Sequence, residues 1–253
     1  MEKEFYTISY KFSFKNGDVK NISINIDSKQ LTMIREETDL APEWARLDYK
    51  QCDCCLLTID QHPYCPIALN IEIIIDDFKD MKSTEECSVI CTTPYNQIHT
   101  DAYVSDALLN LIGLAILASD CPFFRLYKHQ VKFPTPFDSL ESFAIGMISV
   151  GLLGEYLYQQ ANQIYKPFDM EEGQKLASVG NEVFTKVLSR IQNLTQNDAY
   201  KNAFVSLSAM ADMLSFELED NLESFLGLFD AWIKGTHKSL MEKQIQVASV
   251  RKS

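Results

Sequence analysis

The hydrophobic period of this chain changes once, at Pro94, and that change limits the folds open to it. Before Pro94 the clear period is two. Tyr6, Ile8, Tyr10, Phe12 and Phe14 alternate with mainly polar partners, the pattern of a half-buried strand. Asn16-Gly17-Asp18 follows, and Asn and Gly tolerate the positive φ of a tight hairpin turn. A return strand over 19–26 places Ile22, Ile24 and Ile26 on one face. Two further strands are expected, over 68–78 and 87–93, which makes an antiparallel sheet of about four strands.

After Pro94 the pattern is helical. A helix is expected over 101–119, stopped by Asp120-Cys121-Pro122, then a short amphipathic piece over 123–130. Pro134 and Pro136 break the chain before Asp138-Ser139-Leu140-Glu141, a capping-box pattern that opens a long apolar helix to about Tyr165. Pro167 ends it, and Asp169-Met170-Glu171-Glu172 caps the next, to about Asn193. A last helical region, with one break, is expected over 198–234. Leu214, Leu218, Leu222, Phe225, Phe229 and Ile233 form its stripe, and Glu217, Glu219, Asp220 and Glu223 a solvated face. Strands first and helices after is the α+β arrangement: an N-terminal antiparallel sheet with a Cys-rich loop, then a C-terminal helical bundle. The expected organisation is a β region over 1–95, a helical region packed on it over 96–235, and a tail over 236–253.

Charge narrows the partners. The formal net charge of -12 repels nucleic acid and anionic membrane surfaces unless a local basic patch overrides it. The basic stretch at the end, with Lys234, Lys238, Lys243, Arg251 and Lys252 against Glu242, reads as a solvated tail. The longest apolar runs, near 107–118 and 143–157, are diluted by Asn110, Gly113, Gly146, Gly151, Gly154 and Glu155. Each falls short of the ~20 clean apolar residues of a membrane span. The N-terminus carries no basic region followed by an apolar run, so a cytoplasmic protein with reduced cysteines is expected.

Residues 38–66 hold no sustained period, three prolines and four of the seven cysteines. So long a loop usually needs something to hold it. The segment Gln51-Cys52-Asp53-Cys54-Cys55 contains a C-x-x-C pair, the spacing that lets two thiolates face one ion from a tight turn. Cys65 lies near enough for the loop to return it to the same ion, and His62 is an alternative ligand. Cys121 completes the set if the helix end that carries it packs against the loop. Cys65 and Cys121 each precede proline, a context also known from iron–sulfur ligation. Four sulfur ligands suit zinc or an iron–sulfur cluster; redox-active thiols or plain packing cysteines are the other readings. Cys54 reads as a spectator, and Cys87 and Cys91 as small buried strand residues.

The run Pro42-Glu43-Trp44-Ala45-Arg46-Leu47, then Gln51-Cys52-x-x-Cys55, His62-Pro63-Tyr64-Cys65-Pro66 and Ser119-Asp120-Cys121-Pro122 resembles an uncharacterised bacterial family, a domain of unknown function. The likeness spans roughly residues 5 to 160. It implies that Cys52, Cys55, Cys65 and Cys121 belong together, and it implies no reaction, substrate or metal.

Other constellations give less. His62, His99, His129 and His237 are scattered, and no Glu-x-x-His supports a di-iron site. No H-E-x-x-H, phosphate loop, G-x-G-x-x-G or G-x-S-x-G occurs. Glu155, in an apolar helix, is read as hydrogen-bonded and structural. Asp76, Asp77 and Asp80 read as a polar turn after a strand. Trp44, Arg46 and Tyr49 either bracket a small anionic ligand or, with Trp44 inward, anchor the loop. The expectation is a non-enzymatic cytoplasmic adaptor or regulatory protein, with a protein partner and a structural zinc on Cys52, Cys55, Cys65 and Cys121. An iron–sulfur or thiol redox protein on the same residues is the alternative, and a small-ligand sensor with its pocket in the apolar helical half is another.

Overall fold

The computed structural model describes residues 4–35, 41–167, 170–194, 198–219, 222–236 and 238–243. β1 (Phe5–Phe14) and β2 (Val19–Asp27) form the expected hairpin. Gly17 turns it at φ +91°, and the Asp18 N–H donates to Asn16 Oδ1 at 2.9 Å. β3 (Glu86–Thr92) and β4 (Gln97–Tyr103) complete a four-stranded antiparallel sheet in the order β2-β1-β3-β4. Period two gives it one buried face, carrying Ile8, Tyr10 and Phe12, Ile22 and Ile24, and Val89 and Cys91. The opposite face is more open to solvent, as antiparallel sheets allow.

Two expected elements change type. Residues 68–78 are not a strand; they lie in α1 (Pro66–Phe78). Pro66 sits in the first turn, where its fixed φ and missing N–H suit a helix start. The run of isoleucines resembles a buried strand, but the exposures separate the two readings. Ile67, Ile71, Ile74, Ile75 and Phe78 are buried at helical spacing while Ile73 is 56 % exposed. A strand that buried Ile71 and Ile75 would bury Ile73 with them. Asp76 and Asp77 therefore lie in the last turn of α1, not beyond a strand, and Asp76 pairs with Lys79 at 3.5 Å.

The fourth strand is instead β4, in a segment whose second half was expected to open the first long helix. Its sequence, Gln-Ile-His-Thr-Asp-Ala-Tyr, is polar on alternate positions and only half-buried on the others. An edge strand bonded on one side has little hydrophobic pattern to show. The helix starts three residues later than expected, as α2 (Val104–Leu117).

The rest of the helical half follows the sequence reading closely. A 3₁₀ turn (Phe124–Tyr127) and α3 (His129–Lys132) form the short piece. α4 (Leu140–Asn162) is capped by Ser139, whose side chain accepts from the Ser142 N–H at 3.1 Å, with Asp138 accepting from Ser142 Oγ at 2.8 Å. Glu155 accepts from Gln159 Nε2 at 2.9 Å, one turn on, a structural role. α5 (Met170–Ile191) and α6 (Ala199–Glu219) pair, and a 3₁₀ segment (Glu223–Phe229) leads into α7 (Asp230–Ile233). The break in the last helical region falls at Leu222, in left-handed conformation at φ 62°. The expected stripe thins after Phe225, since Phe229 and Ile233 are 44 % and 62 % exposed. Asp169, Asp220, His237, Arg251 and Lys252, and the side chains of Leu214, Glu217, Leu218 and Glu219, lie outside the described residues.

One core joins both halves. It runs from Ile8, Phe12 and Ile24 of the sheet through Ile71, Ile74 and Leu111 to Val187, Ile191, Tyr200 and Phe204 of α5 and α6. Phe78 meets Phe12 edge-on at a centroid distance of 4.9 Å. The buried Asn70 of α1 donates to the Ala115 carbonyl of α2 at 2.9 Å, so the two helices share a polar tie as well as apolar contact. Among the described residues no helix is long and apolar enough to cross a membrane.

Candidate metal centre

The long segment over 41–65 is irregular apart from a 3₁₀ turn (Glu43–Ala45), and its backbone polar groups find partners across the fold. An irregular buried backbone must do so, because an orphaned carbonyl costs about as much as a lost hydrogen bond. Arg190 of α5, only 3 % exposed, supplies most of this. It donates to the carbonyls of Trp44 (3.0 Å), Arg46 (2.6 Å) and Leu47 (3.1 Å). Lys50 donates to the Ser189 carbonyl of the same helix. Trp44 packs against the core, which favours its anchoring role. Arg46 is held instead by Asp48 through paired bonds of 3.0 and 2.9 Å, on the exposed side.

The cysteines sit within this framework. The C-x-x-C pair closes a turn, with the Cys55 N–H donating to the Cys52 carbonyl at 3.1 Å. The middle of that turn is gripped by α5. Glu182 Oε1 accepts from the N–H groups of Asp53 (2.7 Å) and Cys54 (3.2 Å), and Lys186 pairs with Asp53 at 3.2 Å. Cys65 caps α1, its N–H donating to the Ala45 carbonyl at 2.8 Å. Cys121 lies between α2 and the 3₁₀ turn.

These segments bring the thiols into one another's field. Burial pushes the Cys52 thiol up to about 12, and the neighbouring Cys65, Cys54, Cys55 and Cys121 push it the same way. Cys121 is raised to about 11, again by burial first; the N–H groups of Phe124 and Phe123 oppose the rise, and Cys65 and Cys55 add to it. Cys54 is raised by burial and by Glu182, which places it on the α5 side of the turn. The set named from the sequence is thus brought to one neighbourhood from three separate segments: the loop turn, the α1 cap and the α2 end. Among the described residues no three His, Cys, Asp or Glu side chains stand in the arrangement that holds an ion, so an ion would have to draw the thiols in.

His62 is exposed and lines an open cleft of about 400 Å³ with Arg35, Tyr64 and Arg125. Cys87 and Cys91 are buried strand residues, and all seven cysteines are free thiols. His99 bonds to Ser88 across β3 and β4 at 2.6 Å. Lys128, half-buried behind the cluster, donates to the carbonyls of Leu31 (2.8 Å) and Ser119 (2.9 Å), and burial lowers it to about 8.

The sequence reading missed Glu182, Lys186 and Arg190. They recur at i, i+4 and i+8, so they share one face of α5, and all three hold the loop over 44–54. The spacing is visible in the sequence, but their targets lie more than a hundred residues away.

The chain matches no curated protein and no solved structure. The family match reaches further than the likeness over 5–160 read from the motifs and takes in the helices that the likeness left out: residues 8–230 match the family described as Domain of unknown function (DUF6901), to which this chain belongs.

Proposed function

We propose that Cys52, Cys55, Cys65 and Cys121 bind one zinc ion, and that the chain is a non-catalytic cytoplasmic adaptor or regulatory protein whose loop this ion fixes. The carrying observation is that Cys52 and Cys121 lie within electrostatic reach of Cys55 and Cys65, so that thiols from the loop turn, the start of α1 and the end of α2 share one neighbourhood. Four soft donors with a C-x-x-C turn suit tetrahedral zinc. Zinc would bind the thiolates and release their protons. Its task here is structural: it would join the loop to the start of α1 and the end of α2. The reading includes a protein partner, and the apolar side chains exposed on the helical half support it. Tyr156, Leu157, Leu228 and Trp232 are each at least half exposed, and large exposed apolar patches mark interaction sites.

Metal content of anaerobically purified, untagged protein tests the proposal, with Cys52→Ser and Cys121→Ser beside it. About one zinc per chain, lost in both variants together with a fall in Tm, is the expected result. Iron with labile sulfide and a brown colour would transfer the same residues to an iron–sulfur protein. Protein that binds neither metal would overturn the reading.

A further inference from the structure

We propose that the helical half holds a binding site for a small uncharged amphiphile, an apolar chain or ring of about six to eight carbons ending in a hydroxyl or amide. Two adjoining cavities, of about 70 and 120 Å³, share the walls formed by Gly113, Leu117, Gln130, Phe143, Leu207 and Met210. The inner one lies between α2, α5 and α6 and is lined by Phe123, Phe184 and Met147, with scarcely any polar surface. An apolar void of about 150 Å³ stays free of water and takes up a molecule such as benzene. The outer cavity ends in polar groups at Asn110, Thr135 and Asp138. One end is therefore greasy and the other can hydrogen-bond.

Gly113 and Gln130 stand where the cavities meet. A Cβ at Gly113 would find nothing nearer than Leu207 Cδ2 at 3.9 Å, so the glycine leaves space there that a side chain would fill. Gln130 Nε2 lies against the Met147 sulfur, closer than an N–H···S hydrogen bond normally allows. A thioether is a weak acceptor, and a primary amide has two donors and one acceptor to offer. A ligand hydroxyl or amide would be a better partner than that sulfur.

The head group is not an anion. Among the described residues no Lys, Arg or His lines either cavity, and Asp138 at the outer mouth is an acid. A bound carboxylate would have no cation to pair with, and an unpaired charge out of water is expensive.

The test uses the full chain with 1-octanol, octanamide and octanoate as probes, followed by thermal shift and by ¹³C-methyl spectra of the methionines. Octanol and octanamide are expected to raise Tm, since a ligand of the native state stabilises it. Both should shift the Met147 and Met210 resonances and leave Met33 and Met81 in place. Octanoate should bind at least about tenfold more weakly, and Gly113→Leu should abolish the shifts of the native chain. If Gly113→Leu does not fold, Gln130→Leu replaces it and should narrow the gap between octanol and plain octane. Failure of both neutral probes up to their solubility limit, perturbation of other methionines only, or equal binding of octanoate would each overturn the proposal. It does not depend on the zinc reading, and repeating the titration on Cys52→Ser protein keeps the two apart.

Discussion

α2 and α4 are both apolar helices, yet they end in opposite environments. α2 buries Val104, Ala107, Leu108, Leu111, Ile112, Leu114, Ala115 and Ile116 between the sheet and α6. α4 is longer, and Ala144 and Gln159 are the buried ones among its described side chains; Leu153, Tyr156, Leu157 and Tyr158 are all at least half exposed. Composition separates them in part, since α2 is the more apolar and α4 carries Glu141, Glu155, Gln159, Gln160 and Asn162. Position widens the difference: α2 follows directly from the last strand and is carried onto the core, whereas α4 follows Pro134 and Pro136, meets the main core through Met147 and otherwise rests on a small cluster with Ala177 and Phe225. An apolar face without a described neighbour contributes little to stability and leaves surface for a partner.

The comparison breaks first at the core. Phe12, fully buried against Phe78, should cost about 4 kcal/mol as Phe12→Ala, while Leu157→Ala on α4 should stay within about 0.5 kcal/mol. Urea unfolding of the two variants measures the contrast, and a large loss at Leu157 would mean that α4 is covered in solution.

The same contrast exists among arginines. Arg190→Ala strands three loop carbonyls at a buried site, an expected loss of about 3 kcal/mol. Exposed Arg46, paired with Asp48, should change stability far less as Arg46→Ala. Hydrogen exchange over 44–54 should rise in the first variant alone. Equal effects would show that α5 does not hold the loop.

The smallest effect concerns the start of α6. Asp198 accepts from Ser83 N–H and Oγ at 2.8 and 3.0 Å, which keeps its carboxyl below the usual range. Being exposed, it should contribute only about 1 kcal/mol. Because the folded pKa is depressed, this stability is present above the ordinary carboxylate pKa and is lost as pH falls through the lower, folded value. Asp198→Asn should therefore flatten the acid limb of the Tm profile; an unchanged acid limb would remove the role.

The first hairpin was legible because its signals are local: alternation from Tyr6 to Phe14 and a turn at Asn16-Gly17. The break before α4 was legible for the same reason, although its cap is Ser139 with Ser142 and not the expected pair Asp138 and Glu141. α1 was not, because a run such as Ile71, Ile73, Ile74, Ile75 satisfies a buried strand as well as a helix, and only the exposed Ile73 distinguishes them. β4 hid behind polar residues at a sheet edge. At the candidate metal centre the four cysteines were nameable from C-x-x-C and two Cys-Pro pairs, whereas the helix that holds their loop was not.

The sequence by itself determined the α+β class, the strand period of the first hairpin and the break that precedes α4. Each is written within a few residues of where it acts, through backbone preference and side-chain spacing. Tertiary structure alone decided that Arg190 satisfies the loop and that the Cys52 turn rests on Glu182. Those outcomes depend on which surfaces meet across more than a hundred residues. Local sequence cannot encode that meeting, because desolvation and hydrogen-bond satisfaction are properties of the pair of surfaces and of neither one alone.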